Sequence, residues 1–360
     1  MKIVKSILAF IAFFFAALTI FVSLGSLLCK YTDIPQYSLI QIFGYISFFW
    51  ILFISAVSLL LFILLKKLNI ALLYLGIVMV FVLFLNDFSL SYIRQTSPEN
   101  PMAYDSIKVI AYNVKYYSYG IEKVSGFLAE SDYDVVLLSE SVLTPENLEY
   151  LKKRLPSYSV LTDNGHDLSI LSKYPVLSYK IVELPTYVAS LSGSNDIDKI
   201  RANGIHRSFV HAVIDVNGTS VNVLSVRLLA GRPKDHSLSE NIKWGEYLLY
   251  SQDKELVAFT GYLTTLSGPF IFGGDLNVTP NTQIIHKLNQ YAKDTYLEKH
   301  MFGSYTFKIS FPTMRLDYLF HSQDIISKKS EVVKVNPVLS DHNPVAAQFF
   351  IPKRIMRASR

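Results

Sequence analysis

Residues 269–277 read PFIFGGDLN, a short apolar run interrupted by two glycines and finished by Asp275 and Asn277. A run of this length bounded by Pro and Gly reads as a buried strand, and a carboxylate is out of place at its end. The pattern recurs along the chain. IKVIAYNV (107–114) ends near Asn113, DYDVVLLSE (132–140) stops at Glu140, RLDYLF (315–320) carries Asp317 within its alternation, and VLSDHNPVAAQFF (338–350) opens with Asp341-His342 before a further strand. Helix-like stretches over 122–130, 146–155 and 238–250 lie between these runs. Strands alternating with helical patterns argue for an α/β architecture.

A single Asp or Asn at a strand end is usually a turn or cap residue. A set of them is different. Each unpaired carboxylate at the end of a buried strand costs several kcal/mol of desolvation, and converging carboxylates repel one another. A divalent cation held by oxygen ligands removes both penalties. Three acids (Glu140, Asp275, Asp341) and two amides (Asn113, Asn277), without thiols, suit Mg²⁺ or Mn²⁺ better than Zn²⁺.

Six segments, AYNV (111–114), LLSE (137–140), LSKYPV (171–176), GGDLN (273–277), RLDYLF (315–320) and SDHNPV (340–345), stand in an order that resembles the endonuclease/exonuclease/phosphatase superfamily of metal-dependent phosphoesterases. The resemblance runs from about 107 to 350. It implies two mixed β-sheets packed face to face with helices outside. It also implies a role for each matching residue. Glu140 is the principal Mg²⁺ ligand, assisted by Asn113 and Asp341. Asp275 serves in acid/base work or at the metal, and Asn277 orients the nucleophile or a phosphate oxygen. His342 contacts the scissile phosphate or the attacking water, and Asp317 holds the His342 ring in one tautomer.

Two positions depart from the family pattern. Where many members read Asn-Thr-His-Leu, this chain has Ser225-Val226-Arg227-Leu228. Arginine is a poor proton carrier near neutral pH. Arg227 either forks onto phosphate oxygens, or points into solvent or pairs with a local acid. Ser139 stands where Gln commonly precedes the metal-binding Glu. The remaining histidines show no metal-ligand spacing and read as surface or turn residues, with His211, in the alternating run SFVHAVIDV, the one placed to approach the site.

Ahead of this region the character of the chain changes. Of its 360 residues 51% are hydrophobic and only 18% charged, against about 25% charged in an ordinary soluble domain, and mean hydropathy is +0.30. The excess is concentrated at the N-terminus, where 7–28, 38–65 and 68–85 are uncharged and each has about the length a bilayer core requires. A basic start also suits a signal peptide, but no convincing small-x-small cleavage site follows. Residues 1–94 hold six basic and two acidic side chains, leaving 28 basic against 27 acidic in 95–360, so the nominal +5 is mostly a feature of the membrane flanks. With Lys2 and Lys5 before the first span and Lys66-Lys67 between the second and third, the positive-inside rule puts these in the cytoplasm and everything after about 90 outside. The lone Cys29 excludes an intrachain disulfide and a cysteine-only metal cage.

The expected organisation is a three-helix transmembrane region (1–93, helices about 7–28, 40–65 and 68–88), a linker (94–106), a four-layer α/β sandwich (107–352) and a basic tail (353–360) in a bacterial inner membrane. The expected activity is metal-dependent hydrolysis of a phosphate ester. A nearly neutral domain lacks the basic surplus that nucleic-acid binding uses, and tethering brings the site near lipid. Phospholipid head groups and nucleic acid therefore both stand as substrates, with the bilayer as partner and no obligate protein partner evident. The segment 186–204 reads as a loop insertion that shapes the substrate entrance. The competing class is a membrane-anchored phosphate-binding scaffold of the same fold that lost turnover through Arg227.

Overall fold

A computed structural model describes residues 2–32, 43–46, 48–84, 88–91, 98, 100–162, 167–185, 207–230, 238–308 and 314–353. The expected entrance loop at 186–204 and tail residues 354–360 lie outside the described residues, as do His166, His206 and His236. Three apolar helices come first: α1 (Lys2–Tyr31), α2 (Phe48–Leu64) and α3 (Leu68–Phe84). Strands β1 (Tyr104–Asn113) and β2 (Val135–Ser139) flank α4 (Ile121–Glu130), and α5 (Pro145–Arg154) precedes β3 (Ser159–Thr162) and β4 (Leu168–Ser172). Then follow β5 (Val176–Glu183), β6 (Ser208–Val216), β7 (Thr219–Val226), α6 (Leu238–Leu263), β8 (Phe270–Asp275), α7 (Gln283–Tyr291), β9 (Lys293–Asp294), α8 (Thr295–Lys299), β10 (Asp317–His321), β11 (Ile326–Val332) and β12 (Val345–Pro352).

The strands form two six-stranded mixed sheets, β11-β12-β1-β2-β4-β3 and β5-β6-β7-β8-β10-β9. Each has one parallel pair at its centre, β1 with β2 and β7 with β8. Side chains alternate faces along a strand, and the packing follows that alternation. Ile107, Val109 and Ala111 of β1 join Val135 and Leu137 of β2 in the apolar layer between the sheets, where they meet Val210, Val223 and Ile271. The alternate residues Ile110, Tyr112, Val136 and Leu138 face outward and are covered by α4 and α5. On the other sheet, Leu256 and Phe259 of α6 and Ile284 and Leu288 of α7 cover Leu224, Phe272 and Phe320. The expected four-layer sandwich is therefore the observed one.

The Gly-Gly pair of PFIFGGDLN is dictated by space. A Cβ on Gly273 would lie 2.5 Å from the Tyr318 carbonyl oxygen. One on Gly274, whose φ of +139° already disfavours other residues, would lie 2.2 Å from that of Val226. Only bare backbone lets β8 close between β7 and β10.

Several boundaries differ from the sequence expectation. Among the described residues, only α1 is long and apolar enough to cross a membrane by length and composition. The second helix begins at Phe48, not near 40, because residues 43–45 form a 3₁₀ turn whose Gly44 carbonyl and Tyr45 hydroxyl bond to the α/β domain. At 17 residues each, α2 and α3 rise only about 25 Å. β1 starts at Tyr104, inside the expected linker, because backbone pairing with β12 continues past the core as far as Tyr104–Pro352. α6 runs to Leu263, well past 250, since its polar residues Gln252 and Glu255 are buried by partners the local pattern does not show.

Candidate active site

The register of the two parallel pairs gathers the polar strand ends on one rim. Asn113 ends β1 opposite Ser139 of β2, so Glu140 follows at the same level. In the facing sheet Arg227 comes directly after β7, and Asp275 ends β8. Asp317 opens β10 directly across from Asp275. β12 runs antiparallel to β1, with Ala111 opposite Val345, which brings the preceding Asp341 and His342 back to that rim. Glu140 and Asn277 adopt left-handed backbone with φ of 51° and 52°. This conformation is costly for non-glycine residues and is concentrated at functional sites.

Asp275 is at the centre, 1% exposed. Its Oδ2 accepts from Asn113 Nδ2 at 2.9 Å and its Oδ1 from the Asn277 backbone N–H at 3.0 Å. Its own N–H donates to Ser139 Oγ at 3.3 Å, so the serine in the glutamine position ties one sheet to the other. Burial pushes the Asp275 carboxyl up from its ordinary value. Asp317 adds to this, while His342, Arg227 and the Asn113 hydrogen bond oppose it.

His342 donates Nδ1–H to Asp317 Oδ2 at 2.7 Å, and its ring packs 4.9 Å from that of Phe307. Burial by itself would lower its pKa, but Asp317, Asp275 and Asp341 outweigh burial and raise it to about 9. At neutral pH the ring is thus an imidazolium with Asp317 as its counter-ion. Among the described residues, Asp275, Asp317 and His342 are the one group of three or more His, Cys, Asp or Glu whose ligand atoms lie within 4.8 Å of one another.

Glu140 and Asp341 stand beside this group, and each faces a cation. Arg227 Nη2 donates to Glu140 Oε1 at 2.6 Å, and its Nη1 donates to Asp167 Oδ2 at 2.5 Å. Of the readings left open for Arg227, pairing with local acids describes the observed state, and the buried side chain does not point into solvent. Burial opposes the guanidinium charge, but Asp167, Asp275 and Glu140 hold it above its ordinary pKa. Lys115 Nζ lies 2.9 Å from Asp341 Oδ2. Asn277 donates Nδ2 to the Leu228 carbonyl at 3.0 Å.

Asp167 and Lys115 escaped the sequence reading. Asp167 carries the same signal as the others, a carboxylate at the mouth of a buried strand, but it precedes β4 instead of closing a strand. His211 does not approach the site. It bonds Tyr262 Oη and Asn222 Oδ1 on β7, because its side of β6 faces α6. His321 is no surface residue either, being fully buried on β10 at 2.7 Å from Glu298.

The donor set fits a hard divalent cation. Five carboxylates (Glu140, Asp167, Asp275, Asp317, Asp341) face two fixed cations, Arg227 and Lys115, so negative charge remains in excess even with His342 protonated. In addition, the buried Asp317 Oδ1 has no hydrogen-bond partner among the described residues. Such an oxygen-rich, thiol-free cluster matches Mg²⁺ or Mn²⁺ in ligand type.

Comparisons with known proteins agree with this fold. A structure of an endonuclease/exonuclease/phosphatase from Bacteroides vulgatus is 17% identical, with 69% of this chain and 99% of that chain covered and a TM-score of 0.52. TDP2 from D. rerio, in complex with a single-strand DNA product, is 18% identical over 68% of this chain and 99% of that one, with a TM-score of 0.51. Both are likenesses of fold. No curated protein matches the chain. The family model described as Endonuclease/Exonuclease/phosphatase family matches residues 110–342, from just before Asn113 to His342 and so across the whole rim. That match spans more than half of the sequence and ends at the histidine that faces Asp275, and on it the chain belongs to the endonuclease/exonuclease/phosphatase family.

Proposed function

We propose that the protein is a membrane-anchored, Mg²⁺- or Mn²⁺-dependent phosphoesterase that hydrolyses phosphodiester bonds by attack of an activated water. The observation that carries this reading is the buried Asp275–Asp317–His342 cluster, held by Asn113 and Asn277 where the two parallel strand pairs end. Glu140, Asn113, Asp341 and Asp275 would hold the cation, which would supply charge neutralisation at the phosphate and a lowered pKa for water.

The remaining steps belong to the chain's own groups. Asp275, its carboxyl raised by burial, accepts a proton from the attacking water more readily than an exposed aspartate would. Its two oxygens are aimed by Asn113 and Asn277. The imidazolium of His342, fixed through Nδ1 by Asp317, presents Nε2 to a phosphoryl oxygen as charge builds there. Arg227 does not take over the proton work of the histidine found in many members. It keeps Glu140 and Asp167 together and adds positive charge beside Asp275.

Anchoring draws support from how the helices pack. α1 buries small residues such as Ala12, Ala16, Ser23 and Gly25 against its neighbours and leaves Phe10, Phe14 and Phe21 exposed. That arrangement is inside-out for a water-soluble bundle and ordinary in lipid. Three consecutive crossings would put Tyr31, Phe48 and Phe84 at one end, and Lys30 Nζ does reach the Phe84 carbonyl. In this topology Lys2, Lys5 and Lys66-Lys67 are cytoplasmic and the domain is extracytoplasmic in a bacterial inner membrane. An alkaline-phosphatase fusion near residue 100 should be active.

The substrate is a phosphodiester of a phospholipid head group or of nucleic acid. The nearly neutral domain and its tether favour the first, and the fold shared with a DNA-bound TDP2 favours the second. The engagement of Glu140 by Arg227 is the one observation that favours a non-hydrolytic phosphate-binding scaffold. Hydrolysis of bis-p-nitrophenyl phosphate by the purified full chain decides between enzyme and scaffold. Mg²⁺-dependent turnover that drops at least 100-fold in Asp275→Ala and Glu140→Ala supports the enzyme, and equal rates in those variants defeat it. Parallel assays on single-stranded DNA and on phospholipid vesicles then separate the substrates.

A further inference from the structure

The turn between α1 and α2 reaches the active site. Thr279 Oγ1 donates to the Gly44 carbonyl at 2.7 Å, and a Cβ on Gly44 would come 3.0 Å from the Asn281 carbonyl oxygen. The turn is therefore seated directly on the loop that follows Asp275. Around it, Gln283 Nε2 donates to the Thr32 carbonyl at 2.9 Å, and the Tyr31 and His286 rings meet at 5.3 Å. Tyr45 packs on the outer core of the second sheet and donates its hydroxyl to Gln252 Oε1 at 2.8 Å.

Gln252, on α6, is fully buried. Its Nε2 donates to the Leu229 carbonyl at 2.7 Å and, more weakly, to the Asn277 carbonyl at 3.4 Å. These two backbone segments carry Arg227 and Asn277. One turn further along α6, Glu255 fixes the same stretch, accepting from the Leu229 N–H at 2.8 Å, while Arg207, paired to Glu255, donates to the Arg227 carbonyl at 2.6 Å. A buried amide bonded at both ends cannot rotate to lose one partner without leaving a polar group unsatisfied. The orientation of Gln252, and so its grip on the site loops, depends on the Tyr45 hydroxyl.

The geometry points to Tyr45 and Gln252 as positioning residues: the turn between the first two apolar helices is a structural part of the catalytic centre, setting the 227–229 and 275–279 backbone through the Gln252 amide. The inference rests on the phosphoesterase reading for its rate measurements, but its structural half does not. Without the turn in place, the α/β domain keeps every residue proposed for the chemistry and loses the restraint on two of them.

The test uses the full chain in detergent micelles, with Tyr45→Phe, Gln252→Met, the double variant, and His286→Gln as a control that loosens the docked face without touching the relay. For Mg²⁺-dependent hydrolysis of bis-p-nitrophenyl phosphate, kcat should fall about five-fold in Tyr45→Phe, in line with loss of one ordinary hydrogen bond, with KM unchanged. The double variant should be no worse than Gln252→Met alone, as expected for residues acting in one chain. Amide hydrogen exchange over 228–230 and 276–279 should quicken in both single variants and stay as in the wild type in His286→Gln. Wild-type kcat and exchange in Tyr45→Phe, additive losses in the double variant, or an equal loss in His286→Gln would each overturn the relay. If the wild-type protein hydrolyses nothing, the phosphoesterase reading fails, and the exchange pattern alone then decides the relay.

Discussion

At the residue scale, most charges of the site are held by a counter-charge, and Asp275 is held by neutral donors. His342 shows the consequence most clearly. Its imidazolium is favoured by Asp317, Asp275 and Asp341 against the cost of burial, giving a pKa of about 9. Asp317→Asn removes the nearest of these charges while leaving the shape. We expect the pKa of His342, followed by its ring signals in NMR, to drop by more than one unit, and the high-pH limb of the activity profile to move to lower pH with it. An unmoved His342 titration would mean that Asp317 does not set its charge. Arg227 gives a second prediction, in stability. Arg227→Met leaves Glu140 and Asp167 facing each other without a cation, and breaking a buried pair from one side costs about 3–5 kcal/mol. Thermal unfolding of Arg227→Met should show a loss of at least about 2 kcal/mol, and Arg227→Lys, which keeps the charge but not the fork, a smaller one.

At the element scale, what could be read in the sequence depended on distance along the chain. Glu140, Asp275 and Asp341 were legible because each interrupts an apolar run within a few residues, so the anomaly is local. Asp167 was not, since it precedes its strand and has no apolar run before it to interrupt. Of the cations that face these acids, Lys115 was hidden, and Arg227 stood out only as a departure from the family pattern: it lies 87 residues from Glu140, and nothing near either announces the other. Likewise α6 seemed to end near 250 because Gln252 and Glu255 look like a solvated face, whereas Tyr45, Leu229 and Arg207 bury them. The glycines of GGDLN were visible as an interruption of the apolar run, but their purpose is the closeness of three strands. Gly274→Ala must therefore move backbone and not merely a side chain, since the Val226 carbonyl stands in the way. We expect it to unfold at least about 2 kcal/mol more easily than wild type, measured in denaturant. A neutral result would show that β7 and β8 are not locked at this point.

At the scale of the whole molecule, the two sheets repeat one plan: a parallel pair at the centre, antiparallel strands outside, and polar groups where the parallel pairs end. Their face-to-face packing makes one rim from residues that span 113 to 342. The rim also sets how stability varies with pH. The folded His342 pKa lies above its ordinary value of 6.5, so its contribution is fully present below about 6.5 and is lost as pH rises through about 9. Asp275, raised by burial, acts in the same direction, because its ionised form is the disfavoured one. Unfolding free energy measured without metal should accordingly decline between pH 7 and 9.5, and less steeply in His342→Gln. A flat profile would exclude this coupling.

On the proposed function, carboxylates scattered over some 200 residues form a single divalent-cation centre. Electron paramagnetic resonance of Mn²⁺ titrated into the purified full chain tests it most directly. We predict one tightly held ion per chain, displaced by Mg²⁺ and lost in both Glu140→Ala and Asp275→Ala. Mn²⁺ bound equally well by those variants, or not bound by the wild-type chain, would contradict the account.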